Sequence, residues 1–238
     1  LYRLNLNKRI KLINDTISGG LAINLNSQGN GLAETLESLS MTPSIQATSF
    51  ASVSKDELLK RWSPLFDRLQ EKNMEIMAFY NDKRECILRM QSSKIKNNEL
   101  NLASFLKAEK SKQPVFGLEL IDGELTLRAL QPIVRNGKVD GDMELGKDME
   151  KILETKHELT GCMLIVLAKK RLMNRANWEI QMHESKIMTH WDLLPDDVVV
   201  YTSSSLNKGD SELLAHIQSY GTSRFDKSLK YDNKTWRT

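Results

Sequence analysis

The signatures of enzyme chemistry are missing from this 238-residue chain. His157, His183, His190 and His216 show neither HExxH nor any other paired spacing suited to zinc, and CxxCH for covalent haem is absent. There is no G-x-S-x-G elbow, no Walker loop and no dinucleotide fingerprint, and the serines between Ser203 and Ser211 read as a polar loop before a helix. No catalytic set, metal site or cofactor is therefore expected. Cysteine is scarce too, with Cys86 and Cys162 each inside an apolar run, a number that neither demands nor excludes a disulfide. Aromatics at 6% and a net charge of +3, without a long Lys or Arg run, remove the usual supports for nucleic-acid binding. The sequence has no signal peptide and no apolar run long enough to cross a membrane. It opens mid-pattern at Leu1 and reads as an excised segment, so the missing span says little about the parent protein.

What is present describes a folded domain. A hydrophobic share of 40% and a charged share of 27% suit a soluble globular chain long enough to bury a full core. Leu4, Ile10, Ile13, Ile17, Leu21 and Ile23 follow a helical stripe interrupted by Gly19-Gly20. Gly29-Asn30-Gly31 reads as a break, with a second helix over 32–39. Ser54 to Glu57 form a capping box opening a helix whose apolar face is Leu58, Leu59, Trp62, Leu65, Phe66 and Leu69, and Pro64 should kink or split it.

Strand patterns follow over 74–80 and 86–91, then a helix around 99–109 and a three-strand meander turning at Asp122-Gly123 and Asn136-Gly137. Met149, Ile152 and Leu153 then open another helix. The expectation is α+β: a long N-terminal helix, a PAS-like antiparallel five-stranded sheet with a helical layer over 74–146, then a smaller α/β module. Its boundaries are 1–54 for the helical stalk, 55–160 for the membrane-distal module and 161–238 for a second, partial module. In the latter, 162–168 and 198–202 read as strands and 172–180, 186–193 and 213–220 as helices. Residues 225–236 have little pattern. Two strands close no sheet, so more strands and a membrane span are expected past Thr238.

Arg128 stands out because it interrupts the strand LTLRAL, where a buried charge is costly unless paired. It either receives an anionic ligand or pairs internally. A two-residue turn at Asp122-Gly123 sets Glu119 opposite Thr126 and diagonal to Arg128. Glu144 has two readings: a plain turn at Asn136-Gly137 puts it on the other face, and a bulge near Pro132 shifts it by one. Arg89 projects with Gln91, away from Cys86, Leu88 and Met90, onto solvent or into a pocket. Asp140, Asp142 and Glu144 alternate along one strand, which lines them on one solvent face and does not make a calcium loop. Trp178 and Trp191 read as core or interface.

The segments GLEL at 117–120, LTLRALQPI at 125–133 and GKVDGDMELG at 137–146 resemble the core of the double-Cache family, PAS-like sensor modules of bacterial receptors. Upstream, Tyr80, Leu88, Arg89 and Gln91 match that family's strand pair. Gln91 stands where a histidine is common, and Asp142 where an aromatic is. The resemblance implies a periplasmic ligand sensor from a histidine kinase, chemoreceptor or cyclic-dinucleotide enzyme. Its ligand-binding set here is Tyr80, Arg89, Gln91, Glu119, Arg128 and Glu144. The implied partners are a small polar or anionic molecule and a second copy of the receptor, with membrane contact only through spans outside the segment. The rival readings are a protein-interaction scaffold without a small ligand and a soluble enzyme built on Arg89, Arg128 and Glu119.

Overall fold

A computed structural model describes residues 2–90, 102–121, 124–184, 191–203, 228–231 and 234–237. The chain divides into two units, 25–152 and 1–24 with 153–238. Within the first lies a five-stranded antiparallel sheet of β1 (Ile76–Asn81), β2 (Cys86–Arg89), β3 (Val115–Ile121), β4 (Glu124–Arg135) and β5 (Lys138–Asp148), in spatial order β2-β1-β5-β4-β3. This is the expected sheet. The first helix, α1 (Tyr2–Ser40), runs unbroken through all four glycines at 19, 20, 29 and 31.

The break expected at Gly29-Asn30-Gly31 is absent for a packing reason. A Cβ built at Gly29 would lie 2.1 Å from the Phe116 ring on β3, so only glycine lets the helix approach the sheet there. Tertiary contact thus outweighs a propensity loss of about 1 kcal/mol. Helix α2 (Pro43–Gln46) is capped by Thr42, and α3 (Lys55–Gln70) begins at Ser54, whose hydroxyl accepts from the Glu57 amide at 3.2 Å. Pro64 does not split α3, which buries Leu58, Trp62, Phe66 and Leu69.

Side-chain alternation gives the sheet two covered faces. Met77, Phe79, Met143, Leu145, Ala129 and Leu127 lie on one, where Phe79 stacks on Phe50 at 6.3 Å and meets Trp62 of α3 at 5.6 Å. Ala78, Tyr80, Leu130 and Val115 lie on the other, under Phe105 and Ala108 of α4 (Leu102–Ser111). Two irregularities set the register. Asn136 and Gly137, at φ 48° and 79°, make the two-residue turn between β4 and β5. Immediately beyond it Val134 pairs with Val139 and Ile133 with Gly141, leaving Asp140 as a bulge. The bulge turns Asp140 toward Phe50 N, 3.1 Å away, and Arg135, 3.2 Å away. Between β3 and β4, Ile121 faces Glu124 and Glu119 faces Thr126, the register a two-residue connection requires; Asp122 and Gly123 themselves lie outside the described residues.

The second unit includes β6 (Ile165–Lys169) paired antiparallel with β7 (Asp197–Thr202), and β8 (Ser228–Tyr231) paired with β9 (Lys234–Arg237). The last hairpin falls where sequence pattern is weak, a correction to the reading of 225–236. The helix expected over 172–180 is instead α6 (Arg175–Glu184), preceded by a 3-10 turn over Lys170–Leu172. Trp191 opens another 3-10 turn, while 185–190 and the helix expected at 213–220 lie outside the described residues. Trp178 and Trp191 are both buried, and Lys170 and Arg175 approach the Trp191 ring at 5.6 and 5.9 Å. The helix α5 (Met149–Thr160) joins the two units in sequence and closes on His157, whose Nδ1 is 2.7 Å from the Cys162 carbonyl.

Two alanine substitutions in α1 test this account. Gly31→Ala has open space around its new Cβ and should stabilise by about 0.5–1 kcal/mol through helix propensity. Gly29→Ala drives a methyl into Phe116 and should destabilise by about 1–3 kcal/mol. Urea unfolding checks both, and equal signs would discount the close approach.

Candidate functional site

The bulge at Asp140 decides the site. It shifts the register so that Arg128 faces Gly146, Leu130 faces Glu144 and Ala78 faces Glu144, which brings Glu144 to the α4 side of the sheet with Arg128. Arg128 Nη1 lies 2.6 Å from Glu144 Oε1, and both side chains are about 3% exposed. Arg128 Nε donates to Thr126 Oγ1 at 2.8 Å, and that hydroxyl donates to the Glu119 carbonyl at 3.2 Å. On the other side Tyr80 donates its hydroxyl to Glu144 Oε2 at 2.5 Å, while Arg89 Nη2 donates to the Tyr80 oxygen at 3.3 Å. The result is one hydrogen-bonded chain across all five strands in spatial order, from Arg89 on β2 to Glu119 on β3.

Five of the six expected residues thus share one face, and Gln91 lies outside the described residues. Three corrections accompany that placement. Arg89 does not project away from Cys86: Phe79 pairs with Leu88 and Tyr80 with Cys86, so Ile87 is a bulge that returns Cys86 to the face of Arg89. The ion pair of Arg128 closes on Glu144, and Glu119 instead accepts from the Ser104 hydroxyl at 2.5 Å. Asp142 and Glu144 do not line a solvent face, since both are buried under α4 while Asp140 turns the other way.

A small cavity lies between α4 and the sheet. Its walls include Ser104 and Phe105 from α4 and Glu119, Arg128, Leu130 and Glu144 from β3, β4 and β5. It holds about 10 Å³ for water, room for about one molecule. Phe105 meets the Tyr80 ring edge-on at 5.1 Å, so helix and site are directly coupled. Burial and then the Glu144 charge push the Tyr80 hydroxyl well above its ordinary value, keeping it a donor. Burial also pushes the Cys86 thiol up, leaving it a neutral packing group. Both cysteines are free.

Sequence reasoning missed Ser104, Phe105 and Thr126. Nothing in a lone serine or phenylalanine on a helix marks it as a cavity wall, although Thr126 had been placed opposite Glu119. Among the described residues no cluster of His, Cys, Asp or Glu has metal-binding geometry, and no helix is long and apolar enough to cross a membrane.

The dCache_3 family, the double sensory domain of two-component sensor kinases, matches residues 21–237. The chain belongs to this family. As a double-Cache domain it is a sensory module. Among solved structures it is similar to the sensor domain of the Vibrio cholerae histidine kinase DctB, with a TM-score of 0.54, 12% identity and coverage of 94% of this chain and 80% of that one. It is also similar to the ligand-binding domain of the Campylobacter jejuni chemoreceptor Tlp3 solved with L-valine, at TM-score 0.46 and 14% identity over 71% and 69%. The sensor domain of Escherichia coli DcuS matches at TM-score 0.40 and 12% identity over 55% of this chain and 97% of that one. At these identities the likeness to DctB is one of fold. No curated protein sequence matches the chain.

The double-Cache domain should react strongly to loss of its central cation. Arg128→Ala leaves Glu144 as a buried carboxylate without its cation, at a cost of about 3–5 kcal/mol. Glu144→Gln in the same background should recover most of that loss, because the amide carries no charge to desolvate. Denaturant unfolding of the two variants checks it, and a wild-type midpoint for Arg128→Ala would show the pair to be dispensable.

Proposed function

We propose that this double-Cache domain is the extracytoplasmic, non-catalytic ligand-sensing part of a bacterial transmembrane receptor. Its site takes a small polar molecule carrying an anionic group between α4 and the sheet. The observation that carries this reading is the cavity with a buried arginine in its wall, bounded on one side by a single helix. A guanidinium binds a carboxylate through two parallel N–H bonds, which a point charge cannot imitate. Arg128 is already engaged by Glu144 and Thr126, so an incoming anion competes with Glu144 and loosens the bond to Tyr80. Tyr80, Arg89, Gln91, Glu119, Arg128 and Glu144 form the ligand-binding set in this reading.

Space for about one water means that a larger ligand enters only as α4 lifts. The signal is then a shift between docked and lifted α4, set by the ligand's differential affinity for the two states. Residues 55–160 act as the membrane-distal module, and the full-length receptor pairs with a second copy of itself; the double sensory domain of the family supports the division into modules. A scaffold would need no cavity, and an enzyme would need a positioned acid or base that turns over what it binds.

Thermal melting against monocarboxylates, dicarboxylates, amino acids and amines tests the proposal. A ligand at a hundred times its Kd stabilises by about 2.7 kcal/mol, a readily measured shift. At least one carboxylate should stabilise the protein, emerge from it unchanged, and lose its effect in Ser104→Leu, which fills the cavity without touching the ion pair. Stabilisation by amines alone would overturn the anionic part, and an undiminished shift in Ser104→Leu would move the site elsewhere.

A further inference from the structure

Asp142 sits two residues from Glu144, yet neither the cross-strand chain nor the cavity wall uses it. Its side chain is 0% exposed and both carboxylate oxygens lack a hydrogen-bond partner. It faces Tyr80 on β1 and Pro132 on β4 in register. The charged and titratable groups around it come from every neighbouring element. Helix α4 presents Glu109, which is ion-paired at 2.7 Å with Arg84 from the connection between β1 and β2. Tyr80 comes from β1, Cys86 and Arg89 from β2, Arg128 from β4 and Glu144 from β5 itself, while Asp140 is turned to the opposite face. No cation is hydrogen-bonded to Asp142, and the carboxylate of Glu109 works against its ionisation more than Arg84 favours it.

We propose that Asp142 is a proton-operated latch on α4, so that the sensor responds to pH through the same helix that walls its ligand cavity. With a neutral Asp142 the helix lies on the sheet, where Phe105 and Ala108 pack against Tyr80 and Leu130. An ionised Asp142 needs water that the docked helix denies it, and it repels Glu109 on that helix. Ionisation therefore favours a lifted α4, and Ser104 and Phe105 move with it. The inference does not depend on the ligand's identity, because helix docking is measured without any ligand.

The sign follows from where the proton binds more tightly. Burial first, and Glu109 second, push the Asp142 carboxyl from its ordinary 3.8 up to about 7 in the docked state. Docking is therefore at full strength below about pH 4, weakens by up to about tenfold per pH unit between about 4 and 7, and is level above that. Hydrogen exchange of the α4 amides, corrected for the intrinsic pH dependence of exchange, reads this directly. Between pH 5 and pH 7.5 the opening of α4 should increase by more than about tenfold in the wild type and stay flat in Asp142→Asn. Glu109→Gln leaves the Arg84 charge unopposed, so the midpoint should move to lower pH. Carbon-13 NMR of the Asp142 carboxyl in the wild-type protein gives a second readout should Asp142→Asn fail to fold. Titration near pH 7 in step with α4 opening supports the latch. Titration below pH 5, or the same pH profile in Asp142→Asn as in the wild type, overturns it.

Discussion

A guanidinium buried in the middle of a sheet and roofed by a helix obliges the fold to bring it a carboxylate. Here that carboxylate is Glu144, 2.6 Å from Arg128 with both side chains shut away from water. Desolvating two charges offsets much of their mutual attraction, so the pair by itself adds little stability over a well-packed apolar pair. It orders the register of β4 against β5, because a slip by one residue would send Glu144 to the opposite face and leave Arg128 alone. Tyr80, Arg89 and Thr126 add further hydrogen bonds, tying each strand of the sheet into one polar chain. The cavity lies where Glu119, Arg128 and Glu144 of this face meet Phe105, Val115, Phe116, Ala129 and Leu130.

The two faces of the sheet divide the labour. One is filled mainly with Met77, Phe79, Met143 and Leu145 under aromatic side chains, with Gln131 a buried polar residue among them. The other carries Glu119, Arg128, Asp142 and Glu144 under one short helix. Apolar contact holds that helix through Phe105 and Ala108, while beneath it Arg128 and Glu144 depend on each other and Asp142 has no hydrogen-bond partner. An element held by modest packing above a buried ion pair and a carboxylate without a hydrogen-bond partner suits two-state behaviour, which a sensor requires.

Much of this architecture was legible beforehand. Period-two alternation and the Asn136-Gly137 turn placed the meander, and the Ser54 cap placed the start of α3 to the residue. Arg128 stands out in the sequence because a charge inside an apolar strand has few explanations, and it is buried and ion-paired. Glu144 stayed ambiguous, since it hung on a one-residue bulge that no local pattern encodes. Arg89 was assigned the wrong neighbours for the same reason, through the bulge at Ile87. Asp142 looked like a solvated strand charge, and only the helix packed over it makes it a buried one.

The sequence by itself therefore determined the elements, their order and the residue types available to the site, because propensity, alternation and turn chemistry act over a few neighbouring residues. Tertiary structure alone decided that α1 continues through Gly29, where the Phe116 ring demands a missing Cβ. It also decided which carboxylate answers Arg128 and which is left without a partner. Those outcomes depend on register and on what packs above the sheet, and both are set by contacts between residues far apart along the chain.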